Sequence, residues 1–95
     1  MIRHIVFLKL KENTQANKKL VADKIMSMDG KIDILAHIEV GLNFSQEERA
    51  YDVALIADFD SKEDLNTYAS HPLHLEVIKY IKTFVFESKV VDYEK

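Results

Sequence analysis

Hydrophobic and polar positions change period several times along the chain, and each change marks an element. Ile2–Leu10 alternates: Ile2, His4, Val6, Leu8 and Leu10 share one face, and Arg3, Ile5, Phe7 and Lys9 the other. That period of two predicts a strand. From Thr14 to Met28 the period lengthens to that of a helix, with Leu20, Val21, Ile25 and Met28 as its apolar stripe and Lys18, Lys19, Asp23 and Lys24 turned to water. Asn13 or Thr14 is placed to cap its start, and Gly30 to end it. Ile32–Leu35 reads as a loop running into a strand. Alternation returns over Ala36–Asn43, with Ile38, Val40 and Leu42 opposite His37, Glu39 and Gly41. It returns again over Tyr51–Phe59, with Tyr51, Val53, Leu55, Ala57 and Phe59 on one face. Ser61-Lys62-Glu63-Asp64 resembles a capping box and opens a short helix to about Ser70, with Leu65, Tyr68 and Ala69 inward. Pro72 cannot continue that helix but suits the first turn of the next, which runs to about Lys82 with Leu73, Val77, Ile78 and Ile81 as its stripe. Phe84–Tyr93 closes the order as a fourth strand.

The order β-α-β-β-α(α)-β predicts an α+β fold: a ferredoxin-like, four-stranded antiparallel sheet with helices on one face, in a single domain over residues 1–95. Helices on one side leave the other bare. Ile5, Phe7, Ala54, Ile56, Val85 and Val91 are assigned there, too apolar a set to leave wet, so a homodimer with sheet packed on sheet is expected. Thirteen Lys+Arg against 16 Asp+Glu, a net charge of −3 with the signs mixed along the chain, argue against nucleic acid as a partner. The absence of cysteine excludes disulfides, thiolate metal sites, Fe–S clusters and a cysteine nucleophile. No apolar run is long enough to span a membrane. Met1–Leu10 is a poor leader, because Lys9 and Lys11 interrupt it and no small-residue cleavage site follows, so the default location is cytoplasmic.

One stretch carries candidate chemistry. Tyr68-Ala69-Ser70-His71-Pro72-Leu73-His74 gathers two of the four histidines and a tyrosine at a junction between helices. With Pro72 as the first helical residue, His74 is the third, inside the positive end of the helix dipole. Imidazolium is disfavoured there, so the ring stays neutral and able to accept a proton. His71 falls just outside the helix, where its ring can cap free N–H groups. Tyr68 lies one turn before it, and His4 points from the first strand toward the helices. His74 as base and Tyr68 as an orienting donor form the candidate catalytic pair. The simpler readings are a capped helix, a core histidine and a core tyrosine. A metal site is not expected: Pro72 disturbs the spacing of His71 and His74, and a third ligand such as His4 or His37 would have to be supplied by the fold. GxGxxG, P-loop, GxSxG and HExxH patterns are missing. Asp58, Asp60, Glu63 and Asp64 read as a solvated strand end and helix start, and Tyr51 and Tyr80 as packing residues.

The opening Met1–Leu10 with its Arg3-His4 pair, the strand Tyr51–Asp60 followed by Ser61, the turn Tyr68–His74 and the ending Val90-Val91-Asp92-Tyr93 together resemble the stress-responsive dimeric α/β-barrel domain family, nearly end to end. The resemblance implies a ferredoxin-like subunit whose sheet forms a barrel with that of a second copy. The family includes plant stress proteins with no settled reaction. It also includes a cyclase that closes a polyketide chain without metal or organic cofactor, in a pocket between sheet and helices. That enzyme's essential histidine and tyrosine correspond to His74 and Tyr68, its early-strand histidine to His4, and a further pocket histidine to Val53, where this chain departs from the pattern. The candidate ligand-binding residues are accordingly His4, His71, Leu73, Val53 and Leu55, with no cofactor. The expected function is a small dimeric domain that binds an apolar small molecule. The alternatives are a cofactor-independent cyclase or isomerase and, by fold analogy alone, a cofactor-free monooxygenase-like enzyme.

Overall fold

Side-chain alternation sets the strands and local capping sets the helices in the computed structural model, which describes residues 1–95. The elements are β1 (Ile2–Leu10), α1 (Gln15–Met26), β2 (His37–Leu42), β3 (Val53–Phe59), α2 (Lys62–Ala69), α3 (Pro72–Ile81) and β4 (Val85–Glu94). Thr14 caps α1 by accepting the Asn17 N–H at 3.1 Å, and Ser61 caps α2 by accepting that of Asp64 at 3.1 Å. The sheet order is β2-β3-β1-β4 with every neighbouring pair antiparallel, the ferredoxin-like arrangement. All three helices lie on one face. Ile2, Leu8, Leu10, Val53, Leu55, Ala57 and Phe59 from the sheet meet Val21, Ile25, Met28, Tyr68 and Val77 in one core.

The helices cover three strands and stop short of the fourth. Only Val85 of β4 is even half-buried. The inner face of β4 therefore borders open space beside α3, and this gap holds the candidate site described below.

Several expected placements are corrected. Val85 lies on the helix side, not the outer face, because a bulge between Lys9 and Leu10 pairs Leu10 with Val85 but Lys9 with Glu87. The extra residue, Phe86, shifts the alternation by one. Tyr51 precedes β3 and packs on Phe7 of the outer face, with ring centroids 6.2 Å apart, instead of continuing the Val53 face. The helical stripes are narrower than expected: Leu20, Ala69 and Ile78 are exposed. Helix α1 ends at Met26, and Gly30, at φ 75°, belongs to the turn after it.

Two aspartates are buried. Asp52 accepts the Leu10 N–H at 2.7 Å and the Asn13 amide at 3.3 Å, tying the start of β3 to the end of β1. Asp58, expected in water, accepts two hydrogen bonds from Arg3, at 2.9 and 3.0 Å, and one from Lys95 at 3.3 Å. The Arg3 hydrogen bond holds the Asp58 carboxyl below the usual range although burial opposes it. On the outer face Ile5 lies between Ile56 and Val91, and Phe7 between Ala54 and Lys89. Phe7 is 44% and Val91 59% exposed.

Phe59 is fully buried and stacks at 4.9 Å on Tyr68, so it joins the central sheet to α2. Phe59→Ala is expected to cost about 3–5 kcal/mol, read as a lower urea midpoint at unchanged slope.

Candidate functional site

The gap between α3 and β4 is a cleft of about 380 Å³. β1 contributes His4, Val6 and Leu8 to it, and β3 contributes Leu55. β4 adds Val85, Ser88 and Val90, and α3 with its C-cap adds His74, Ile78, Ile81 and Lys82. The size falls within the usual range for small-molecule sites, and so does the character: mostly apolar walls with a few polar groups. A roomier depression of about 620 Å³ lies under the β2–β3 loop. Its polar groups are largely engaged with one another, Lys18 with the Asn43 carbonyl and Asn13 with Asp52, so the smaller cleft is the better candidate.

At one end of the cleft and just behind it, hydrogen bonds orient three imidazoles. Nδ1 of His71, the N-cap of α3, accepts the Leu73 N–H at 3.1 Å, so that nitrogen is bare. Nδ1 of His74 lies 3.0 Å from the Ala69 carbonyl, which can only accept. His74 therefore carries its proton on Nδ1 and leaves Nε2 with a free lone pair. Burial lowers the His74 pKa, opposed by the Ala69 hydrogen bond and assisted by the nearby His4 and His71. The third ring, His4, has Nδ1 2.5 Å from Asp92 Oδ1, its cross-strand partner in the β1–β4 register. Nδ1 donates to the carboxylate, and the other ring nitrogen is free.

Tyr68 sits behind these rings. Its ring centroid is 4.2 Å from that of His74 and 6.2 Å from that of His4. Its hydroxyl is buried and has no hydrogen-bond partner in the chain, and burial pushes its pKa up to about 12. The phenol therefore stays protonated at neutral pH. Tyr68 is not on the cleft wall. Its contact with His74 is ring against ring, so the expected orienting hydrogen bond is corrected to a packing contact.

Of the candidate residues, His4, Leu55 and His74 line the cleft together. His71 caps the helix behind it, Leu73 packs against the core and Val53 is buried within it. Sequence reasoning missed Asp92, Ser88, Val90 and Lys82. The first three depend on the β4 register, which the bulge decides. Lys82 was legible only as the end of a helix. No group of three or more His, Asp or Glu side chains is placed to hold a metal ion. No helix is long and apolar enough to cross a membrane.

This is a ferredoxin-like subunit with an apolar cleft between one helix and the sheet, and two imidazoles at one end. The chain belongs to the stress responsive A/B barrel domain family, whose profile matches residues 2–95. It is 33% identical over 86 residues to a stress-response A/B barrel domain-containing protein of Arabidopsis thaliana, a match covering 83% of this chain and 30% of that protein. The chain thus spans less than a third of that relative's length. Among solved structures, a dimeric protein with a ferredoxin-like fold from Bacteroides fragilis is 31% identical with a TM-score of 0.83, covering 99% of this chain and 95% of its own. A hydroxynitrile lyase from Passiflora edulis shares the fold at 22% identity, with a TM-score of 0.82 and 97% and 90% of the two chains covered.

The lowered His74 pKa has a consequence for stability. The unfolded chain takes up a proton at this ring near pH 6.5, the folded chain only at lower pH. The stabilisation is present above about pH 6.5 and is lost as the pH falls from there through the folded value. NMR titration of His74 is expected to give a midpoint below that of a free histidine. Stability measured from pH 7.5 down to 5 should fall less steeply in His74→Gln than in the parent.

Proposed function

We propose that the protein is a homodimeric domain that binds an apolar small molecule in the cleft between α3 and the sheet. The cleft carries this reading: apolar walls on three sides, with neutral His74 presenting Nε2 at one end. The homodimer is supported by the outer face, where Ile5, Ile56 and Val91 stand in register with Phe7 beside them, and by the dimeric Bacteroides fragilis relative. Two such sheets packed face to face would bury what the helices cannot reach.

A second reading is a cofactor-independent cyclase or isomerase. It is favoured by the proton on Nδ1 of His74, which leaves Nε2 free to act as a base. In that role Nε2 of His74 takes a proton from carbon next to a carbonyl, and the C–H electron pair moves to the carbonyl oxygen as an enolate. Tyr68, which touches His74 and not the cleft, acts as a positioning residue. His4, oriented by Asp92, supplies the second ring nitrogen on the wall.

Val90 lines the cleft yet is 58% exposed, so a larger side chain there fills the space without disturbing the core. The uncharged probe N-phenyl-1-naphthylamine is expected to gain fluorescence with the parent protein and at least tenfold less with Val90→Trp. No gain, or an equal gain in both, overturns the ligand reading. Sedimentation at micromolar concentration is expected to give a dimer, and Ile56→Asp a monomer that keeps its helical circular dichroism. A monomeric parent overturns the assembly.

A further inference from the structure

Polarity is distributed unevenly along the cleft. On β4 the inner-face residues run Asp92, Val90, Ser88, opposite His4, Val6 and Leu8 of β1. From the His4 pair to the Ser88 pair is four residues, about 13 Å of strand. On the opposite wall His74 lies in the first turn of α3 and Lys82 caps its end, eight residues apart and about 12 Å along the helix. The two walls run the same way, with imidazoles at one end and Lys82 with Ser88 at the other. Val6, Leu55, Ile78 and Val90 separate the two ends with apolar surface.

Lys82 is the one lysine on the cleft wall. Lys24 pairs with Glu76 and Lys62 with Glu94, whereas the Lys82 ammonium, like those of Lys11, Lys79 and Lys89, makes no salt bridge or side-chain hydrogen bond. Glu87, a carboxylate close in sequence, faces the other side of the sheet, where Tyr51 donates to it. The Ser88 hydroxyl is likewise without a partner in the chain. One end of an otherwise apolar cleft thus offers a single positive charge and a hydroxyl, with no anion of the protein's own to balance them.

We propose that the cleft selects a linear medium-chain carboxylic acid, with its carboxylate at Lys82 and Ser88, its chain along Val6, Leu55, Ile78 and Val90, and its far end at His4 and His74. A single ammonium balances the single charge of a carboxylate, and the spacing of the two ends sets the chain length. This assignment rests on the cleft being a ligand site, and it adds the chemical class and the orientation.

The test compares decanoate and 1-decanol as ligands of the parent protein and of Lys82→Gln, with affinities from calorimetry. Both are expected to bind the parent. In Lys82→Gln the affinity for decanoate should fall about three- to tenfold while that for decanol is unchanged. Raising the salt to about 0.5 M should weaken only decanoate binding, and only in the parent. Nuclear Overhauser contacts should join the terminal methyl of decanoate to the rings of His4 and His74. Lys82 is exposed, so the variant is expected to fold as the parent does, checked by its circular dichroism. Equal loss for both ligands, no loss for decanoate, or a methyl group lying at Lys82 overturns the carboxylate assignment while decanol binding keeps the ligand site. If neither ligand binds the parent, both readings fall.

Discussion

Three helices are too few to cover four strands, and the molecule is organised around that shortfall. α1 and α3 pack side by side over β2, β3 and β1, where Val21, Ile25 and Val77 complete the core. β4 is left at the edge with its inner face uncovered. A ferredoxin-like sheet with its helices centred on all four strands would bury Val90 and Ser88 and have no cleft. The apolar outer face follows from the same one-sided coverage: a sheet with one layer of helices must meet water or another protein surface on its far side. The cleft and the bare outer face are therefore two results of one packing limit.

Within the cleft, chemistry depends on hydrogen bonds made by backbone atoms at a helix start. At the α2–α3 junction the Leu73 N–H and the Ala69 carbonyl are both within reach of imidazole rings. His71 takes the first and His74 the second. The two rings consequently carry their protons on opposite nitrogens. His74 is left neutral with the Nε2 lone pair unused, and burial reinforces that state. Pro72 suits the junction because, as the first residue of α3, it lacks an N–H that would otherwise need a partner.

Most of the fold was legible in the sequence because it rests on local signals. The alternation of β1 and β3, the caps at Thr14 and Ser61 and the Pro72 start of α3 need no tertiary information. The errors lie where one residue's environment is set by a distant strand. Asp58 reads as a solvated strand end until Arg3 is brought beside it by the β1–β3 register. Tyr51 reads as strand until Asp52 turns inward to accept the Leu10 N–H. The candidate site was legible in part for the same reason. His74 and His71 follow from capping rules, and His4 from β1 alternation, whereas Asp92 and Ser88 needed a register that no local pattern encodes.

The bulge at Phe86 shows how much that register decides. Leu10 pairs with Val85, and continuing the count without an extra residue would set His4 opposite Val91, Val6 opposite Lys89 and Leu8 opposite Glu87. The cleft wall would then carry two opposite charges midway along it, and Asp92 would face outward. With Phe86 as the extra residue, His4 meets Asp92, Val6 meets Val90 and Leu8 meets Ser88. Lys89 and Glu87 move to the outer face, and Glu87 is bonded there by Tyr51. The same shift sets Val91 beside Ile5 and so carries the apolar outer face onto β4 at that one position. One inserted residue thus gives the cleft its apolar middle, gives His4 its carboxylate, and adds a third strand to the surface a second copy would cover.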